Sequence, residues 1–137
     1  MSHPDGLPDL FLDRSLGRKK VPELLRAEGI RLIILAEHYD IPTDETIAHT
    51  EWLQLCGERS WLAIMKDDRI RYVGAERQGL LDFQVMAAVI TNANLPAAEM
   101  ATRIIGALSN LGQICNDRDR PFLYALHQNR IEDIPLS

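Results

Sequence analysis

Four short apolar runs, at residues 9–12, 30–36, 61–65 and 83–91, are each followed by a segment of helical length. Runs this short, rich in Leu, Ile, Val and Met, read as strands buried on both faces, as in a parallel sheet covered by helices. Between them the period lengthens. Val21, Leu24 and Leu25 form a stripe over 18–28, with Pro22 in the first turn and Gly29 past the end. Thr43 or Asp44 caps a second helix bearing Ile47, Trp52, Leu53 and Leu55, which Gly57 is expected to close. A short helix is expected over 75–81. Met100, Ile104, Leu108 and Leu111 mark a long one from Pro96 or Ala97 to about residue 116. Residues 122–126 and 130–134, joined by His127-Gln128-Asn129, predict a closing hairpin within 121–135. Strand and helix thus alternate four times before an antiparallel tail. The expected fold is α/β with three layers: a mostly parallel central sheet, helices on both faces and a C-terminal β-hairpin. The 137 residues suit one domain, with residues 1–8 as a loose tail.

Chemistry concentrates where the strands end. The run at 61–65 stops abruptly in Lys66-Asp67-Asp68-Arg69, and Leu10-Phe11-Leu12 stops in Asp13-Arg14. In an open parallel sheet, sites form outside the carboxyl ends of strands. Adjacent carboxylates there either stand in solvent or hold a cation. Asp44 and Glu51 are seven apart and share a helix face, either as a solvent-facing stripe or with Glu51 turned toward the strand-end acids. Asn92 and Asn94 follow the fourth strand. Arg14, Arg18, Lys19 and Lys20 form a basic cluster beside Asp13, suited to a helix start or to phosphate. His38 reads as a loop residue.

Other features narrow the class. No apolar run approaches a membrane span, and the polar MSHPDGLPD start lacks a signal-peptide core. Cys56 and Cys115 have no CxxC spacing, so a cytoplasmic protein with reduced thiols is expected. A net charge of −5 argues against broad nonspecific nucleic-acid binding but leaves room for a local basic patch. No glycine-rich phosphate loop is present. A phospho-receiver domain would need a Lys at a late strand end, and none follows Lys66. A haloacid-dehalogenase pair needs acids two apart, whereas Asp9 and Asp13 are four apart.

FLDRSLG near the start, Glu51-Trp52 in a helix, KDDRIR after the third strand, Asn94-Leu95 after the fourth and PFLYAL before the hairpin appear in this order. Together they resemble the PIN-like domains of VapC-type toxins. The resemblance implies a Mg²⁺- or Mn²⁺-dependent endoribonuclease paired with an antitoxin, with a homodimer as a further expectation. It implies metal coordination and catalysis by Asp13, Glu51 and Asp67. Asp68 stands where relatives often carry a basic residue. The later acid of the family has no clear match, and Asn94 is the oxygen donor nearest its place. Arg14, Lys66 and Arg69 are expected to position RNA phosphate. The alternative is a non-catalytic PIN-like protein that serves only to bind a partner.

Overall fold

The computed structural model describes residues 3–17, 19–35, 37, 49–66, 74–91 and 94–136. Its elements are β1 (Leu10–Leu12), a 3-10 turn (Arg14–Leu16), α1 (Lys20–Ala27), β2 (Leu32–Ile34), α2 (His49–Arg59), β3 (Leu62–Met65), α3 (Gly74–Phe83), β4 (Met86–Ile90), α4 (Ala97–Asp117), β5 (Phe122–Leu126) and β6 (Ile131–Asp133). The six strands form one sheet in the order β2-β1-β3-β4-β5-β6. All pairings are parallel except β5–β6. The expected three-layer α/β fold and its closing hairpin are both present.

Strand alternation divides the core in two. Leu10, Leu12, Ile64, Ala88 and Ile90 face α1 and α4, packing on Val21, Leu25, Ile104, Leu108 and Leu111. Phe11, Ala63, Met65, Ala87 and Val89 face α2 and α3, packing on Trp52, Leu53, Cys56 and Leu80. A strand between two helical layers has no polar face, which is why its sequence reads as a continuous apolar run. β2 lies at the sheet edge, and its Ile33 is correspondingly only half-buried.

Local chemistry sets the helix boundaries. α1 ends in a Schellman arrangement: Ile30 N–H donates to the Leu25 carbonyl at 3.2 Å and Gly29 N–H to that of Arg26 at 2.9 Å. Gly29 adopts φ +81°, as the left-handed position requires. Gly57, in contrast, does not stop α2, which continues to Arg59; Ser60 makes the turn with φ +57°. A Cβ on Gly57 would collide with the Phe83 backbone carbonyl, so this glycine permits close approach of α2 to the end of α3. Phe83 itself closes α3, and the fourth strand begins later than expected, after Gln84 turns the chain at φ +52°.

Residues 3–8 also depart from the expected loose tail. His3 is buried, its Nε2 donating to the carbonyls of Leu7 at 2.9 Å and Pro8 at 3.1 Å, while its Nδ1 accepts the Arg31 N–H at 3.0 Å. Leu7 is buried in the α1–α4 core. A Pro-rich stretch gives no periodic signal, so this anchoring was not legible from pattern. His38, Thr43, Asp44 and Ile47 lie outside the described residues.

The Gly57 contact yields a stability prediction. Gly57→Ala should lower stability by about 1–3 kcal/mol through overpacking. Gly106→Ala, where an added Cβ meets nothing within 4 Å, should gain up to about 1 kcal/mol from helix propensity. Urea unfolding of both variants beside the parent checks the opposite signs.

Candidate functional site

After β1 the chain places β2 on one side and β3 on the other. This reversal of strand order falls between the carboxyl ends of β1 and β3, the usual position of a site in such a sheet. Asp13 is the first residue beyond β1. Its N–H donates to the Ile64 carbonyl at 3.0 Å, extending the β1–β3 ladder by one bond. Two residues after Phe11, it shares that residue's strand face, the one covered by α2. Phe11 is stacked between Trp52 and Trp61, with ring centroids 5.5 Å and 5.7 Å away. These rings fix β1 against α2 and the start of β3, and so fix where Asp13 begins.

Asp13 is only 4% exposed. Among the described residues its hydrogen-bond partner is Ser15, whose hydroxyl donates to Oδ2 at 2.8 Å. The same hydroxyl accepts the Lys66 N–H at 3.1 Å. Ser15 therefore ties the turn after β1 to the residue after β3. The Asp-x-Ser spacing is a common pattern of local side-chain bonding, but the link to Lys66 spans 51 residues and left no trace in sequence. Below the acid lies Cys56. Burial pushes its thiol far above the ordinary range, and the Asp13 charge adds to the effect.

The remaining predicted residues are placed as follows. Glu51 is exposed in the first turn of α2. Helical spacing puts it away from the buried Trp52–Cys56 stripe. Because α2 runs back from the carboxyl edge to β3, its first turn lies at the same edge of the sheet as Asp13. Lys66 is half-buried directly after β3, and Arg14 opens the 3-10 turn after Asp13. Asn94 is exposed in the turn before α4. Asp67, Asp68 and Arg69 lie outside the described residues. Among the described residues no three of His, Cys, Asp and Glu gather closely enough to hold a metal. No described helix is long and apolar enough to cross a membrane.

The chemistry of Asp13 nonetheless fits a cation. A buried carboxylate whose described partner is a single hydroxyl is a suitable oxygen ligand for a hard cation.

Residues 8–92 match the model of a family described as a PIN like domain. Over 125 residues the chain is 32% identical to a Mycobacterium tuberculosis (strain ATCC 25618 / H37Rv) protein named "Putative ribonuclease VapC45", an alignment covering 91% of this chain and 90% of that one. No solved structure matches the chain.

Two outcomes test the local geometry. Ser15→Ala leaves a buried carboxylate oxygen and the Lys66 N–H without partners, and should cost about 1–3 kcal/mol in urea unfolding. Ser15→Thr keeps the hydroxyl and should recover most of the loss. The Cys115 thiol is pushed up to about 11 by burial and Cys56 is raised further, so both are protonated at pH 8. A colorimetric thiol reagent should label both slowly in the folded protein, Cys56 the slower, and both quickly in denaturant.

Proposed function

The chain belongs to the PIN-like domain family, and on that premise we propose that it is a divalent-metal-dependent endoribonuclease, the toxin of a toxin–antitoxin pair. The observation that carries the proposal is the buried Asp13 carboxylate above the β1–β3 junction, with one hydroxyl as its described partner. The name of the Mycobacterium tuberculosis relative supports RNA as the substrate. Its toxin-type name supports a cognate antitoxin as partner, with self-association as a second proposed contact.

Asp13, Glu51 and Asp67 are the proposed metal ligands and catalytic acids. Asp68 and Asn94 are the further proposed oxygen donors. Mg²⁺ and Mn²⁺ are the metals such a set prefers. When bound, the ion supplies charge neutralisation at the phosphoryl oxygens and a more acidic water. The chain's own residues do the positioning. Ser15 holds one Asp13 oxygen, and among the described residues the other accepts no hydrogen bond. Arg14, Lys66 and Arg69, which follow the first and third strands in sequence, are the cations proposed to position phosphate.

Carboxylate-to-amide substitutions test the roles. Asp13→Asn and Asp67→Asn should each abolish RNA cleavage with added Mn²⁺, because an amide oxygen is a weaker partner for a hard cation. Asp13→Asn should also raise stability in the metal-free protein, since a buried charge is removed. Asp68→Asn should be milder. Cleavage of a panel of RNAs by parent and variants is the measurement. Parental activity in Asp67→Asn, or a larger loss in Asp68→Asn, would assign the site to the wrong acid. Absence of cleavage by the parent across the panel would favour a partner-binding role.

A further inference from the structure

A second feature lies along the same edge of the sheet. The first residues after β1, β3, β4 and β5 are Asp13, Lys66, Thr91 and His127, on four neighbouring strands. Strand spacing puts the ends of β1 and β5 about 14 Å apart. Beside His127 opens a groove of about 530 Å³ between α4 and the β5–β6 hairpin. That volume is within the usual range of ligand pockets.

The groove is built from donors and amides. Arg103 on α4 is half-buried, and its one described bond runs from Nη1 to the Leu126 carbonyl at 3.4 Å. Arg26, Arg31 and Arg118 each bond a carboxylate; Arg103 has none among the described residues. Arg130 faces it from the hairpin loop and likewise has no described side-chain partner. Asn110, Gln128 and Asn129 add amide groups to the lining, and Glu99 is its one carboxylate. The loop is held in place. The His127 N–H donates to the Arg130 carbonyl at 2.9 Å. The His127 ring lies between Glu132, 2.8 Å from Nε2, and Thr91, 3.3 Å from Nδ1. Both ring nitrogens are engaged, so His127 positions the loop rather than offering a donor to the groove.

An arginine with no carboxylate partner among the described residues, on a chain of net charge −5, is suited to an anion from outside. Arginine forks match phosphate, and amide side chains match the edges of an unpaired base. We propose that this groove is an RNA subsite. It takes one unpaired nucleotide a few positions from the scissile bond, with its phosphate on Arg103 and Arg130 and its base edge read by Asn110, Gln128 or Asn129. The subsite rests on the ribonuclease proposal for its substrate but not on the metal centre for its binding. RNA held there crosses the strand ends toward Asp13, so the groove contributes to the choice of cleavage position.

The test separates binding from cleavage. A fluorescein-labelled single-stranded RNA octamer pool is titrated against full-length Asp13→Asn in EDTA, with and without Arg103→Gln plus Arg130→Gln. Arg118→Gln, outside the groove, is the control. Loss of this phosphate site should weaken binding at least tenfold and flatten the salt dependence of log Kd by about 0.7, the value for one phosphate on a single strand. The control should change neither, and unchanged urea midpoints should accompany both. In the cleaving parent, the double substitution should raise KM with little change in kcat, and Asn110→Ala should redistribute the cleavage positions. Groove-dependent binding without any cleavage by the parent would sink the catalytic proposal and leave the subsite standing. Cleavage with unchanged affinity, KM and salt slope in the double variant would overturn the subsite, as would absence of RNA binding by the Asp13→Asn protein. Loss of binding to a partner protein, with RNA binding intact, would reassign the groove to protein recognition.

Discussion

Burial of β1 on every side is the constraint on which the rest depends. The strand has three residues, yet it pairs with β2 on one edge and β3 on the other. Leu10 and Leu12 fill one core and Phe11 the other, all at 1% exposure or less. Burial of each such side chain is worth about 1.5–3 kcal/mol, so this short segment is strongly anchored without length. The ring sandwich around Phe11 ties it to α2 and to the approach to β3. Asp13 follows at once, inheriting its position from these contacts and from its backbone bond to Ile64. The strand before it, buried on both faces and paired on both edges, thus sets where the acid's backbone lies.

That placement costs stability. Burying a carboxylate removes hydration, and among the described residues a single hydroxyl donates to it in return. A core built for stability alone would put an apolar residue there. Such local conflicts are expected at functional positions, where the surrounding fold holds a group that the local environment disfavours. Cys56 senses the same field, since the Asp13 charge helps to keep its thiol protonated.

The layer architecture was legible because it depends on burial alone. Apolar runs without alternation must lie between two helical layers, and Met100, Ile104, Leu108 and Leu111 could only form one face of a helix. Element ends were less legible where tertiary contact overrode local preference. Gly57 resembles a helix stop, but its role is set by Phe83, 26 residues later in the chain. His3 resembles a tail residue, but its bonds reach Arg31. At the site, Asp13 was visible as an acid at a strand end. Ser15 was not, because its bond to Lys66 depends on β1 and β3 being neighbours. A linear sequence shows which residues leave a strand, but not which strand ends meet.

The last crossover explains why one edge serves two faces. Steps β2→β3, β3→β4 and β4→β5 move in one direction across the sheet, while β1→β2 moves in the other. With α1 on one face and α2 and α3 on the opposite one, the first three crossovers share a hand. α4 packs on the face of α1, so the β4–α4–β5 connection has the opposite, uncommon hand. Thr91 after β4 and Pro96 before α4 both lie at the carboxyl edge. The consequence is spatial. Asp13 looks toward the α2 layer, while the groove beside Arg103 opens on the α4 layer. Both begin at the same row of strand ends, so a single strand of nucleic acid reaching from one to the other need only cross that row. Had α4 packed beside α3 instead, the hairpin loop would face no helix on this side, and Arg103 would have no wall opposite.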